Sequence, residues 1–214
     1  MFHAGDLVAN GYRPCEVLDR LRELGWEGVC GNTDEMLWKP EKLAVLAITN
    51  PGRQNLRKVL FEITGPATRE RLGPERVAWL RGLPVILRVD DIAIVHASPR
   101  SLWQAPLATG TDTELVTTYE ELAAKKVVYG HIHSPFARVL GGFTAANTGA
   151  ASLSYDGDPR ACYALIEDGK VTHRRVEYDI EREAKGLLKS GYPCAGWLAG
   201  ILTSGRYTDP PTAR

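Results

Sequence analysis

The 214 residues carry 26 lysines and arginines against 26 aspartates and glutamates, and 44% of them come from the hydrophobic set. A chain of this size and apolar content buries a proper core without a staple. Its balanced charge, with no long like-charge run, excludes a nucleic-acid groove built on a basic surface and leaves a nucleotide-sized ligand open.

In chain order, Phe2 to Ala4 read as the last half-turn of a buried strand, with Asp6 at its exit. From Pro14 to Leu24 the apolar residues Val17, Leu18, Leu21 and Leu24 share one helical face, with proline in the first turn and Gly25 as the stop. "WEGVC" is a short strand. Gln54 to Leu83 is helical, punctuated by Gly65-Pro66 and Gly73-Pro74. "PVILRV" and "IAIVH", joined through Asp90-Asp91, form a hairpin, and a helix over 114–124 precedes the strand "KVVYG". The strands "FARVL", "GFTAA", "ACYALIE" and "VTHRRVEY" follow in quick succession. Asp179 then caps a helix carrying Ile180, Ala184, Leu187 and Leu188, and a second helix runs through Trp197 to Leu202. The expected organisation is a single domain over 1–204, with a helical segment 179–204 and a flexible tail 205–214. Alternating strand and helix giving way to successive strands favours a mixed sheet system covered by helices over a doubly wound sheet.

The four cysteines, Cys15, Cys30, Cys162 and Cys194, show no CxxC spacing, which excludes a zinc ribbon or a secreted disulfide framework. No apolar run reaches the roughly 20 residues of a bilayer span, and no signal peptide opens the chain. A cytoplasmic protein with reduced thiols and no membrane contact is expected.

Four polar clusters each follow an apolar strand: "GD" at 5–6, "GNTD" at 31–34, "HASP" at 96–99 and "GHIH" at 130–133. Ligands of layered α/β folds bind beyond the carboxyl ends of strands, so these sets can converge. Asp6, Asn32, His96, His131 and His133 make a mixed oxygen and nitrogen set, suited to manganese, iron or zinc better than to calcium or magnesium. The two histidines of "GHIH" share one face if the chain is still extended there. Taken alone, "GNTD" reads as a turn or a helix N-cap. His3 reads as packed and His173 as solvated.

In that order and at those separations the motifs "GD", "GNTD", "VHASP" and "GHIH" resemble the calcineurin-like metallophosphoesterases, in particular their compact bacterial and archaeal phosphodiesterase branch. "TRERLGPERVAWLRGLP", "NTGAASLSYDGDPRACYALIEDG" and "RVEYDIEREAKGLL" extend the resemblance over nearly the whole chain. It implies an α/β four-layer sandwich, two mixed sheets flanked by helices. It also implies divalent metal ions, two in the family and drawn from manganese, iron, zinc or nickel, that supply hydroxide to a phosphoester. By that similarity Asp6 bridges the ions, Asn32, His96 and His131 complete one of them, His133 helps to hold the other, and Asp6, Asn32 and His96 serve catalysis. Arg100 and Trp103, in the loop after His96, are the candidates for a phosphate and for a base or aryl group.

The family's first motif, Asp-x-His, occurs nowhere in this sequence. One metal site is therefore expected to be incomplete and the fold to be N-terminally truncated, unless the true start lies upstream of Met1. Thr33 stands where many members carry a histidine that protonates the leaving group, which favours substrates with good leaving groups. The expected ligand is a small phosphoester or nucleotide, not a nucleic-acid polymer, and a homo-oligomer stays open. The competing reading is a non-catalytic phosphoesterase-like interaction module.

Overall fold

The computed structural model describes residues 1–49 and 53–212, without the side chains of 45 and 47–49. Its centre is a five-stranded mixed sheet in the order β3-β4-β5-β7-β6, built from β3 (Ile86–Val89), β4 (Ile92–Val95), β5 (Lys126–Tyr129), β6 (Phe136–Val139) and β7 (Thr144–Asn147). β4, β5 and β7 run parallel, while β3 and β6 close the edges antiparallel. The second layer is in two pieces: β1 (Phe2–His3) parallel to β2 (Glu27–Gly28), and the antiparallel hairpin β8 (Ala161–Glu167) with β9 (Lys170–Val176).

Alternation along the central strands explains the layering, because successive side chains of a strand point to opposite faces. Ala93 and Val95 of β4, with Val127 and Tyr129 of β5, pack on one face against Leu115 and Tyr119 of α6 (Asp112–Tyr119) and Leu122 beyond it. On the opposite face Ile94 and Val128 meet Val29 beyond β2, Ala4 beyond β1 and Ile166 of β8, forming the core between the two sheet layers. Helices cover the remaining sides. Leu18 of α1 (Pro14–Glu23) and Leu72 and Leu80 of α5 (Gly65–Arg81) enclose a third core with Leu37 and Phe61. α7 (Ile180–Lys189) and α8 (Ala195–Ser204) bury Leu187, Leu198 and Leu202 in a fourth.

The structure adds two helices within 31–53, α2 (Asn32–Glu35) and α3 (Lys42–Thr49). α4 (Gln54–Lys58) runs through a π-helical turn at Val59–Thr64 directly into α5, which Gly73 kinks with φ 74° just before Pro74. The α6 helix starts earlier than its apolar pattern indicates, because Thr111 caps it by accepting from the Glu114 amide. Of the tail, residues 213 and 214 lie outside the described residues. The rest makes definite contacts: Trp197 Nε1 donates to the Thr208 carbonyl at 2.8 Å and Asn55 Nδ2 to that of Pro210 at 2.9 Å. Among the described residues no helix is long and apolar enough to cross a membrane.

Candidate metal centre

Parallel pairing brings the site together. β4, β5 and β7 end at one edge of the central sheet, and β1 and β2 run alongside each other, so the loops that leave them meet. His96 follows β4 and is fully buried. Its Nδ1 lies 2.7 Å from the carbonyl of Ala4. A carbonyl only accepts, so Nδ1 carries the proton and Nε2 presents a bare lone pair. That Nε2 stands 2.8 Å from Asn32 Oδ1, 3.2 Å from His131 Nδ1 and 3.5 Å from Asp6 Oδ1. His131 Nδ1 is in turn 2.9 Å from Asn32 Oδ1.

Asp6, His96 and His131 are thus a group able to hold a metal ion, with Asn32 among them. The contact between Asn32 Oδ1 and His96 Nε2 sets lone pair against lone pair, which is unfavourable unless a positive charge sits between them. Donor atoms about 2.1 Å from one ion lie roughly 3 Å from one another, so the spacing fits a single coordination sphere. The residues therefore fit a divalent cation in their donor types and in their convergence.

The backbone is bent to make this possible. Asp6, His131 and His133 all take left-handed conformations, with φ of 56°, 63° and 55°. Such conformations cost about 1–3 kcal/mol each and persist where the surroundings enforce them. Asp34 enforces the first. Fully buried, it accepts from the amides of Asp6 and Gly31 through one oxygen, both at 2.9 Å, and from that of Leu7 through the other at 3.0 Å. Gly5 permits the close approach, since a Cβ there would lie 2.6 Å from the Gly31 nitrogen and 2.8 Å from His96 Nδ1.

Charge is distributed accordingly. Burial alone would raise the Asp6 carboxyl, but His96, His131 and the Thr33 amide hold it below its ordinary value. Burial, then the Asp6 charge, pushes Asp34 up to about 6. Burial, reinforced by His96, pushes His131 down to about 3 and keeps its ring neutral, the form that ligates.

His133 is placed differently. Its Nδ1 donates to the Leu153 carbonyl at 2.7 Å, which leaves Nε2 as the bare nitrogen, and its ring stacks on Tyr155 at 4.4 Å. It stays within electrostatic reach of Asp6. Arg100 and Trp103 are engaged elsewhere. Arg100, its side chain 84% exposed, forms a bidentate pair with Glu121. Trp103 stacks on Phe61 at 5.2 Å and donates from Nε1 to Glu35 at 2.9 Å. His3 is packed, with both ring nitrogens buried and unpartnered. His173, expected to be solvated, instead donates from Nε2 to the Asn147 carbonyl at 2.7 Å and ties β9 to β7.

Two residues that matter were not singled out from the sequence. Asp34 had a signal, the acidic third position after Gly31 in "GNTD", which reads as a cap of its own turn. Asn147 opens the stretch "NTGAASLSYDGDPRACYALIEDG" without a role of its own being read there: buried at the end of β7, it donates to the Gly130 carbonyl and accepts from the Gly149 amide, holding the loop that carries His131 and His133.

A sequence profile described as the calcineurin-like phosphoesterase superfamily domain matches residues 1–169, and the chain belongs to that superfamily. Membership places it among metal-dependent phosphoesterases in general. The crystal structure of a metallophosphoesterase from Sphaerobacter thermophilus superposes with a TM-score of 0.74 at 26% identity, over 95% of this chain and 87% of that one. The hypothetical protein PH1004 from Pyrococcus horikoshii OT3 shares the fold, with a TM-score of 0.78 at 18% identity over 97% and 85%. The uncharacterized protein MJ0912 of Methanocaldococcus jannaschii is 26% identical over 229 residues, 96% of this chain and 86% of the relative.

Proposed function

We propose that the chain hydrolyses a small phosphoester at a centre in which Asp6, Asn32, His96 and His131 hold one divalent cation. The reading is carried by the lone-pair contact of Asn32 Oδ1 with His96 Nε2 at 2.8 Å, flanked by His131 and the Asp6 carboxylate. A cation bound there supplies Lewis acidity to the phosphoryl oxygens and lowers the pKa of water. Asp6 gives the negative charge that draws the cation in. Asn32 adds a neutral oxygen, so one carboxylate among four donors leaves most of the positive charge for the substrate. His96 and His131 ligate as neutral imidazoles. His133, with Nε2 bare and facing the Asp6 field, is suited to a phosphoryl oxygen or to a second, weaker ion. Thr33 places no acid beside the leaving group, and the preferred esters are those whose leaving group departs unprotonated.

The test is metal content together with turnover. Purified protein dialysed against manganese is expected to retain about one ion per chain and to hydrolyse bis(4-nitrophenyl) phosphate slowly, with retention and turnover both lost in Asn32→Ala. Two tightly held ions with fast turnover would contradict the single-cation site. A tightly held ion without turnover of any aryl phosphodiester would instead favour a non-catalytic module.

A further inference from the structure

Outward from His133 the side chains become aromatic. The His133 ring lies parallel to that of Tyr155, with centroids 4.4 Å apart and planes at 18°, and Tyr155 meets Tyr207 edge-on at 5.3 Å. The guanidinium of Arg53 stands over Tyr207, 5.5 Å from the ring centroid. Four segments of the chain, around residues 53, 133, 155 and 207, thus build one continuous wall that begins at a residue of the candidate centre.

Tyr207 belongs to the strap that follows α8. The Trp197 bond to Thr208 and the Asn55 bond to Pro210 hold that strap just beyond the ring, whose Oη donates to Asp209 of the same strap at 2.9 Å. Anchoring a terminal strap would need the prolines and Trp197 alone. It does not call for a tyrosine ring left half-exposed beside an exposed arginine. Among the described residues Arg53 has no carboxylate partner, unlike Arg100, and its charge acts on both His131 and Tyr155. A guanidinium laid on a ring keeps its N–H edge free for an anion, while the ring remains a surface for a flat group.

We propose that Arg53 and Tyr207, with Tyr155 behind them, form the substrate wall of this site, Arg53 taking a phosphate oxygen and Tyr207 the nucleobase or aryl group of a nucleoside or aryl phosphoester. The inference deepens the phosphoesterase reading and rests on it for the position of the phosphate. It assigns to this wall the roles that the sequence pattern assigns to Arg100 and Trp103.

Titration calorimetry of the manganese-loaded full chain with adenosine 5′-monophosphate and with inorganic phosphate tests it. Tyr207→Ala is expected to weaken the nucleotide about tenfold, the scale of one lost aromatic stack, and to change phosphate less than about twofold. Arg53→Ala should weaken both ligands, and Tyr207→Phe, which keeps the ring, should restore nucleotide binding. Nucleotide binding indifferent to Tyr207→Ala, or equal losses for the two ligands, would overturn the proposal. Turnover of bis(4-nitrophenyl) phosphate reports separately on hydrolysis. Ring-dependent binding in a chain that never turns over sinks hydrolysis and leaves the wall standing, whereas turnover with ring-independent binding does the reverse.

Discussion

Asp34 touches no candidate ligand atom, yet the position of Asp6 depends on it. Its two oxygens satisfy the amides of Asp6, Leu7 and Gly31, so one buried carboxylate stitches the loop after β1 to the loop after β2. Replacing it by asparagine keeps the shape but turns one acceptor into a donor, which then faces an amide. The expected result of Asp34→Asn is a loss of about 1–3 kcal/mol in stability, seen in denaturant unfolding, because buried amides lose their acceptor. Manganese affinity should fall about 10- to 100-fold, as when the support of a metal ligand is removed. Unchanged manganese affinity in a folded Asp34→Asn protein would show that Asp6 is held by other means.

At the scale of elements, Glu35 joins three segments that have little regular structure between them. At the end of α2 it pairs with Lys39 at 2.9 Å and Lys42 of α3 at 2.7 Å, and it accepts from Trp103 in the loop after β4. Burial tends to raise its carboxyl, but Lys42, Trp103 and Lys39 together hold it below the ordinary value. A carboxyl whose folded value is depressed binds fewer protons in the folded than in the unfolded chain. Its stabilisation is therefore complete above the unfolded value, about 4.5, and is lost as pH falls through the lower folded value. Glu35→Gln should destabilise the protein at pH 7 by about 1–2 kcal/mol, since charged hydrogen bonds are lost. The gap between wild type and variant should close on acidification below about pH 4, as thermal unfolding across pH would reveal. A gap that persists or widens in acid would mean that Glu35 acts through shape and not through charge.

For the molecule as a whole, stability and site share one framework, because β4, the strand that leads into His96, also fills the core between the two sheet layers. Ile94, 6% exposed, faces Val29 and Val128 there, two residues before His96. Ile94→Ala leaves a cavity and is expected to cost about 2–5 kcal/mol. In a chain of this length that lowers the melting temperature by roughly 2–4 °C per kcal/mol, measured by calorimetry. A drop below about 3 °C would indicate that the two layers close over the gap.

Most elements were legible from periodicity and punctuation: the α1 stripe, the hairpin across Asp90-Asp91, and the kink at Gly73-Pro74 are local patterns with local causes. α2 was not, because four residues of "NTDE" carry no apolar period, and Asp34 and Glu35 take partners from the distant Asp6, Leu7 and Trp103 as well as from nearby residues. The second layer, expected as one mixed sheet, consists of a parallel pair and a hairpin, a matter of strand pairing that no local pattern encodes. His173 took its partner from β7 for the same reason.

By itself the sequence determined which residue types stand at the strand exits, and with them the superfamily and the donor chemistry of Asp6, Asn32, His96 and His131. Those are properties of single positions and their spacing. Only the tertiary structure decided that the parallel strands bring these four together, that Arg100 and Trp103 turn to Glu121 and to Phe61, and that Arg53 and Tyr207 stand beyond His133. A loop side chain points where its long-range partners draw it, and those partners are assembled only when the sheets pair.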